Sequence, residues 1–160
     1  MRIFRTSLIL ILLAATSCNN RKYAAVNAYN DQVVKYIEQA ERTVKVWNTT
    51  NFMQEYDIKK QNSITKLLAM QDSLSSMDPY DDDDTLRITA LSMLDNYLHS
   101  FTIYDTIYKI LSDTMYLRSD SIHVRELLKT NQNMLQMQAQ TFSAEQQRFA
   151  RRYNLKFDEE

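Results

Sequence analysis

A chain of 160 residues with no glycine and one proline has few ways to reverse direction tightly. Glycine supplies the left-handed backbone that hairpin turns, bulges and phosphate-binding loops demand, so its absence argues against sheets, Rossmann units and P-loops together. Long helices joined by polar connections remain. Ten tyrosines and eight methionines give such helices large, adaptable packing groups.

The apolar spacing predicts four helices. From Val26, the residues Tyr29, Val33, Ile37, Ala40, Val44 and Trp47 recur at steps of three and four, which holds one helix face toward a core. Asn27 is the expected cap, and the poor helix formers Asn48, Thr49, Thr50 and Asn51 end the segment. A second helix shows its stripe at Ile64, Leu67, Leu68, Gln71 and Leu74 and ends near Met77. Pro79 then forces Asp78 out of helical geometry, and Asp81 to Asp84 put negative charge at the next helix start. The third helix is expected from Thr85 to Leu111. Leu91, Leu94, Leu98, Phe101, Tyr108 and Leu111 form one stripe, and Tyr97, Ile103, Tyr104, Ile107 and Ile110 broaden it. So wide an apolar sector belongs to a central helix or to one that touches something else. Asp120 or Ser121 is the expected cap of a fourth helix, on which Leu128, Leu135, Phe142 and Phe149 recur every seven residues, with Asn131, Gln138 and Glu145 beside them. Asn154 is its expected stop. Four such helices predict an all-α fold, an antiparallel up-down-up-down four-helix bundle over residues 26–160.

The N-terminus carries an address. Arg2 and Arg5 precede the apolar run Leu8 to Leu13, and small residues follow up to Cys18, the pattern of a secretory signal over 1–17. The run is too short to span a membrane, which takes about 20 apolar residues. The junction at Cys18 resembles the lipobox of bacterial lipoproteins, with Ala15 where leucine is usual. That resemblance implies cleavage before Cys18, acylation of its thiol with palmitate-type chains, and a tether over 18–25. Two or three acyl chains together bind a bilayer almost irreversibly. Asn19 is not the aspartate typical of inner-membrane retention, so a lipid anchor in the outer membrane is expected, with the periplasmic or cell-surface face left open. No second cysteine exists, hence no internal disulfide.

The segments AYNDQVV, MDPYDDDDTLR and QQRFARRYNLKF make the chain similar to a family of small all-helical bacterial surface lipoproteins of uncharacterised function. The resemblance implies the bundle and the envelope location, and it brings no catalytic residue.

Sites of chemistry are sparse. A di-metal centre in a bundle would need glutamate three residues before each histidine, but Asn96 precedes His99 and Asp120 precedes His123. Asp81 to Asp84 could hold calcium only without the alternate ligand spacing and sharp glycine turn of known loops. No G-x-S-x-G elbow is possible. Lys+Arg total 19 against Asp+Glu 20, so nucleic acid is not an expected partner. The expectation is therefore a protein that is not an enzyme, needs no cofactor, and binds an envelope protein or cell-wall glycan. Tyr97, Tyr104, Tyr108, Arg148, Arg151 and Arg152 are the candidate partner surface. The alternative is a carrier holding a small apolar ligand between its helices. An interaction protein would expose the second apolar lane of helix three as a patch, whereas a carrier would enclose a cavity.

Overall fold

The computed structural model describes residues 23–44, 56–113, 115 and 117–155. Cys18 with the signal region, Trp47, Asn48 to Asn51 and Phe157 lie outside the described residues. Among those described, the protein is all-helical, with α1 over 23–44, α2 (Tyr56–Ser75), α3 (Thr85–Leu111) and α4 (Arg118–Tyr153) packed as a bundle.

α1 buries Val26, Val33, Ile37, Ala40 and Val44 of the stripe that the spacing predicts, while Tyr29 is half-buried and Asn30, outside that stripe, is buried beside it. Its start differs from expectation. Residues 23–25, expected as tether, are already helical, and Asn27 is an exposed residue within the helix and not its cap. Ala24 and Ala25 explain the extension, since alanine is the best helix former and carries no cost in side-chain entropy.

α2 buries Tyr56, Ser63, Leu67 and Leu74, while Leu68 is largely exposed. Its cross-links to α3 fix the direction of travel. Gln71 donates to Asp95 near one end, and Lys60 Nζ lies 2.7 Å from the Asp105 carboxylate near the other. Tyr56 stacks flat on Tyr108 with ring centroids 4.3 Å apart. Partner numbers rise on α3 as they fall on α2, the order that an antiparallel pair requires.

α3 has the boundaries expected from Pro79 and the aspartate run. It packs against both α2 and α4. The middle of its buried sector runs through Leu86, Ala90, Leu94, Tyr97, Phe101, Tyr104 and Ile107. Leu91, Leu98 and Tyr108 sit at the edge of that sector and Leu111 is exposed, so the face is rotated from the stripe expected. Fully buried leucines such as Leu67, Leu74 and Leu94 each contribute about 1.5–3 kcal/mol of transfer free energy.

α4 begins earlier than expected, at Arg118, with Leu117 at the N-cap position. Asp120 still satisfies a helix-start donor, but from the third helical position, where its carboxylate accepts the Leu117 backbone N–H at 2.7 Å. The helix ends at Asn154 in the left-handed region, φ 53° and ψ 38°. The Leu155 N–H then reaches back to the Ala150 carbonyl at 2.9 Å, and Leu155 packs on the core. In a chain without glycine, asparagine is the residue best suited to that conformation.

Candidate functional site

The two ends of the bundle are built differently. At one end the aspartate loop, the start of α1 and the end of α4 meet in a closed polar latch. Arg148 donates to the Asp83 carboxylate at 2.9 and 3.1 Å, and Arg152 Nη1 donates to it at 2.9 Å. Tyr153 donates to Asp81, and Thr85 donates to Asp83. The Thr85 hydroxyl and the Arg148 guanidinium together hold the Asp83 carboxyl down at about 2. Asp84 pairs with Arg87, whose Nη1 also reaches the Ser75 carbonyl at 3.0 Å. Arg87 thereby supplies the cation that the last turn of α2 lacks. Tyr29 donates to Asp84 at 3.2 Å, and burial together with that carboxylate raises the Tyr29 pKa to about 12. Beneath these polar groups, Tyr29, Tyr80, Phe149 and Tyr153 form a ring cluster with centroids 4.8–6.0 Å apart.

Along the seam between α3 and α4, the three polar residues of the heptad each find a partner. Gln138 Nε2 donates to Ser92 Oγ at 2.9 Å, and Glu145 accepts from Arg148 at 2.7 Å. Asn131 is buried, and its Oδ1 lies 2.8 Å from the hydroxyl of Ser100, itself fully buried. That hydroxyl is also 3.0 Å from the Asn96 carbonyl. Again the partner numbers run in opposite order on the two helices.

At the other end the bundle opens. Phe142 and Phe149 are buried, Leu135 is half-buried, and Leu128 is 44% exposed, so the heptad seam loses its cover toward the start of α4. There α1, α3 and α4 border a groove of about 1010 Å³. Tyr97, Tyr104 and Ile107 form its floor from α3, Val44 and Glu41 come from α1, and Val124, Leu128 and Leu135 come from α4. Gln132 and Gln136 mark its rim. Burial, with the Glu41 carboxylate second, pushes the Tyr97 hydroxyl above the usual tyrosine range. Leu111, Met115, Leu117 and Ile122, all exposed, belong to the same end of the molecule.

The residues expected as one partner surface therefore divide. Tyr97 and Tyr104 lie together in the groove floor. Tyr108 is half-buried against Tyr56 on the α2 side, where Tyr56 and Lys60 both bind Asp105. Burial works to raise the Asp105 pKa, but those two partners outweigh it and hold it below the ordinary value. Arg148 and Arg152 belong to the latch, while Arg151 is exposed. Glu41, Gln132, Gln136 and Ala139 are groove residues that the spacing alone did not single out. His99 and His123 are exposed. Among the described residues, no three His, Cys, Asp or Glu side chains converge as metal ligands would, and no helix is long and apolar enough to cross a membrane. Compared with protein-family models, curated proteins and solved structures, the chain matches none.

Proposed function

We propose that this protein is a lipid-anchored, non-enzymatic interaction module of the bacterial outer membrane, acylated at Cys18 and engaging an envelope partner through the groove between α1, α3 and α4. One observation carries this reading. Among the described residues, Tyr97, Tyr104 and Ile107 of the α3 lane are buried, but their cover thins at the start of α4, where Leu128 is 44% exposed beside a groove of about 1010 Å³, which favours a docking surface over a carrier for a small apolar ligand. The latch supports it from the other end. α1 is helical from residue 23, five positions beyond Cys18, and the latch gathers the start of α1 with the aspartate loop. An anchor at Cys18 thus holds the latched end near the bilayer. Glu41 and Val44 lie some twenty residues farther along α1, about 30 Å at 1.5 Å per residue, so the groove stands away from the lipid.

Cell fractionation of wild type and Cys18→Ser tests the anchor. Wild type is expected with the membranes and the variant in the soluble fraction. A Cys18→Ser protein that stays as firmly with membranes as wild type overturns the lipid-anchored reading.

A further inference from the structure

We propose that Tyr56 and Tyr108 form a site of oxidative tyrosine coupling, at which a one-electron oxidant joins the two phenol rings covalently while the Asp105 carboxylate takes up a phenolic proton. The new bond ties the start of α2 to the end of α3, in a chain whose single cysteine allows no internal disulfide. The site involves neither the anchor nor the groove.

The two rings are already face to face. Their centroids lie 4.3 Å apart and their planes are within 7° of parallel. Ring carbons of one residue then touch those of the other, at about 3.5–4 Å. The tyrosine pairs of the latch are set differently: Tyr29 and Tyr80 are 5.6 Å apart and inclined at 49°, and Tyr80 and Tyr153 are 5.2 Å apart and edge-on at 84°. Coupling needs the carbons ortho to the two hydroxyls to meet across the ring faces, which a stack offers and an edge-on pair does not. Tyr56 opens α2 and Tyr108 lies in the last turn of α3, so the rings can pivot from the stack into the joined product without moving a helix interior. Tyr108 is half-buried, which leaves the pair within reach of an oxidant in solution.

The proton has a place to go. A phenol that loses an electron becomes a far stronger acid than a carboxylic acid, so a carboxylate already accepting its hydroxyl takes the proton. Tyr56 donates to Asp105 in that way. Lys60 Nζ, 2.7 Å from both Asp105 oxygens, pairs with that carboxylate. The lysine is also 5.7 Å from the Tyr56 ring centroid, where its charge opposes removal of an electron and the Asp105 charge offsets it. Each phenol gives up one electron and its hydroxyl proton, and the ortho carbons join. The hydrogens on those carbons then move to the oxygens and restore both hydroxyls. In sum one C–C bond forms and two C–H bonds break. Two electrons go to the oxidant, the Tyr56 proton to Asp105 and the Tyr108 proton to solvent.

The test uses the full chain carrying Cys18→Ser, dilute, oxidised by photogenerated ruthenium(III) tris(bipyridine) with persulfate as the final electron acceptor. The expected product is a monomer with dityrosine fluorescence. Its tryptic peptides 46–59 and 88–109 should be joined at Tyr56 and Tyr108 and lighter than their sum by the two hydrogens lost. Tyr108→Phe, which keeps a ring in the stack, and Tyr56→Phe should each abolish that joined peptide, whereas Tyr153→Phe should leave it. Asp105→Asn should slow its formation by about tenfold or more. The coupled monomer should melt about 5 °C or more above the uncoupled one, because the bond closes a long loop in the unfolded chain. Coupling only between molecules, through exposed tyrosines such as Tyr23, or an internal cross-link that persists in Tyr108→Phe, overturns the proposal. Asp105→Asn that couples as fast as wild type overturns the part given to Asp105.

Discussion

Removing the Ser100 hydroxyl should cost more than removing its partner. Ser100 and Asn131 are both buried and lie 2.8 Å apart across the α3–α4 seam. A neutral hydrogen bond contributes only about 0.5–1.5 kcal/mol net, but a buried polar group stripped of its partner loses its full desolvation penalty, about 1–3 kcal/mol. Ser100→Ala strips Asn131 in that way. The better helix propensity of alanine returns only about 0.5 kcal/mol, so the expected net cost is about 0.5–2.5 kcal/mol. Asn131→Leu removes the amide without orphaning anything, because the Ser100 hydroxyl still has the Asn96 carbonyl at 3.0 Å. That change should fall within about 1 kcal/mol of wild type. Urea unfolding followed by circular dichroism should then give a double-mutant coupling of about 1–2 kcal/mol, with Ser100→Ala nearly free of cost in the Asn131→Leu background. Equal costs of Ser100→Ala in both backgrounds, with coupling under about 0.5 kcal/mol, would refute the pairing as a determinant of the seam.

The same seam should show a gradient: Phe142→Ala is expected to cost about 3–5 kcal/mol and Leu128→Ala about 1 kcal/mol or less, as denaturant midpoints would report. Equal costs would mean that the start of α4 is as well covered as its end. The latch predicts an acid dependence. The Asp83 pKa is depressed from its ordinary 3.8 to about 2, so the stability it supplies is complete above 3.8 and lost as pH falls toward 2. Asp83→Asn should flatten the fall in melting temperature across that interval, and an unchanged fall would show that Arg148 does not act through this carboxylate.

What the sequence made legible was local. Pro79 and the following aspartates set the start of α3 by backbone sterics and helix-end charge, and those act within a few residues. The face of α1 followed from the spacing of Val33, Ile37, Ala40 and Val44, because a stripe with helical period has to be buried somewhere. Periodicity reports which face is apolar, though, and not how deeply it is covered. Leu128 and Phe142 hold equivalent heptad positions, yet one is largely exposed and the other buried, a difference set by neighbours that only the fold assembles. The arginines show the same limit. Arg148 and Arg152 suggest a cationic surface when read along the chain, but their carboxylate partner Asp83 lies 65 residues upstream of Arg148. Only the reversal of direction between α3 and α4 joins them. The groove escaped notice for the same reason: Glu41, Tyr97 and Leu128 come from three helices and share no motif.

The most direct measurement is a methyl NMR titration of the Cys18→Ser chain with an amphipathic helical peptide of about 15 residues that carries a leucine stripe. Resonances of Val44, Ile107, Val124, Leu128 and Leu135 should shift together and saturate, while Leu67 and Leu74, buried on the α2 side, stay fixed. Shifts confined to the exposed residues Ile58 and Leu68 of α2, or no shift at the groove methyls, would contradict a docking site between α1, α3 and α4.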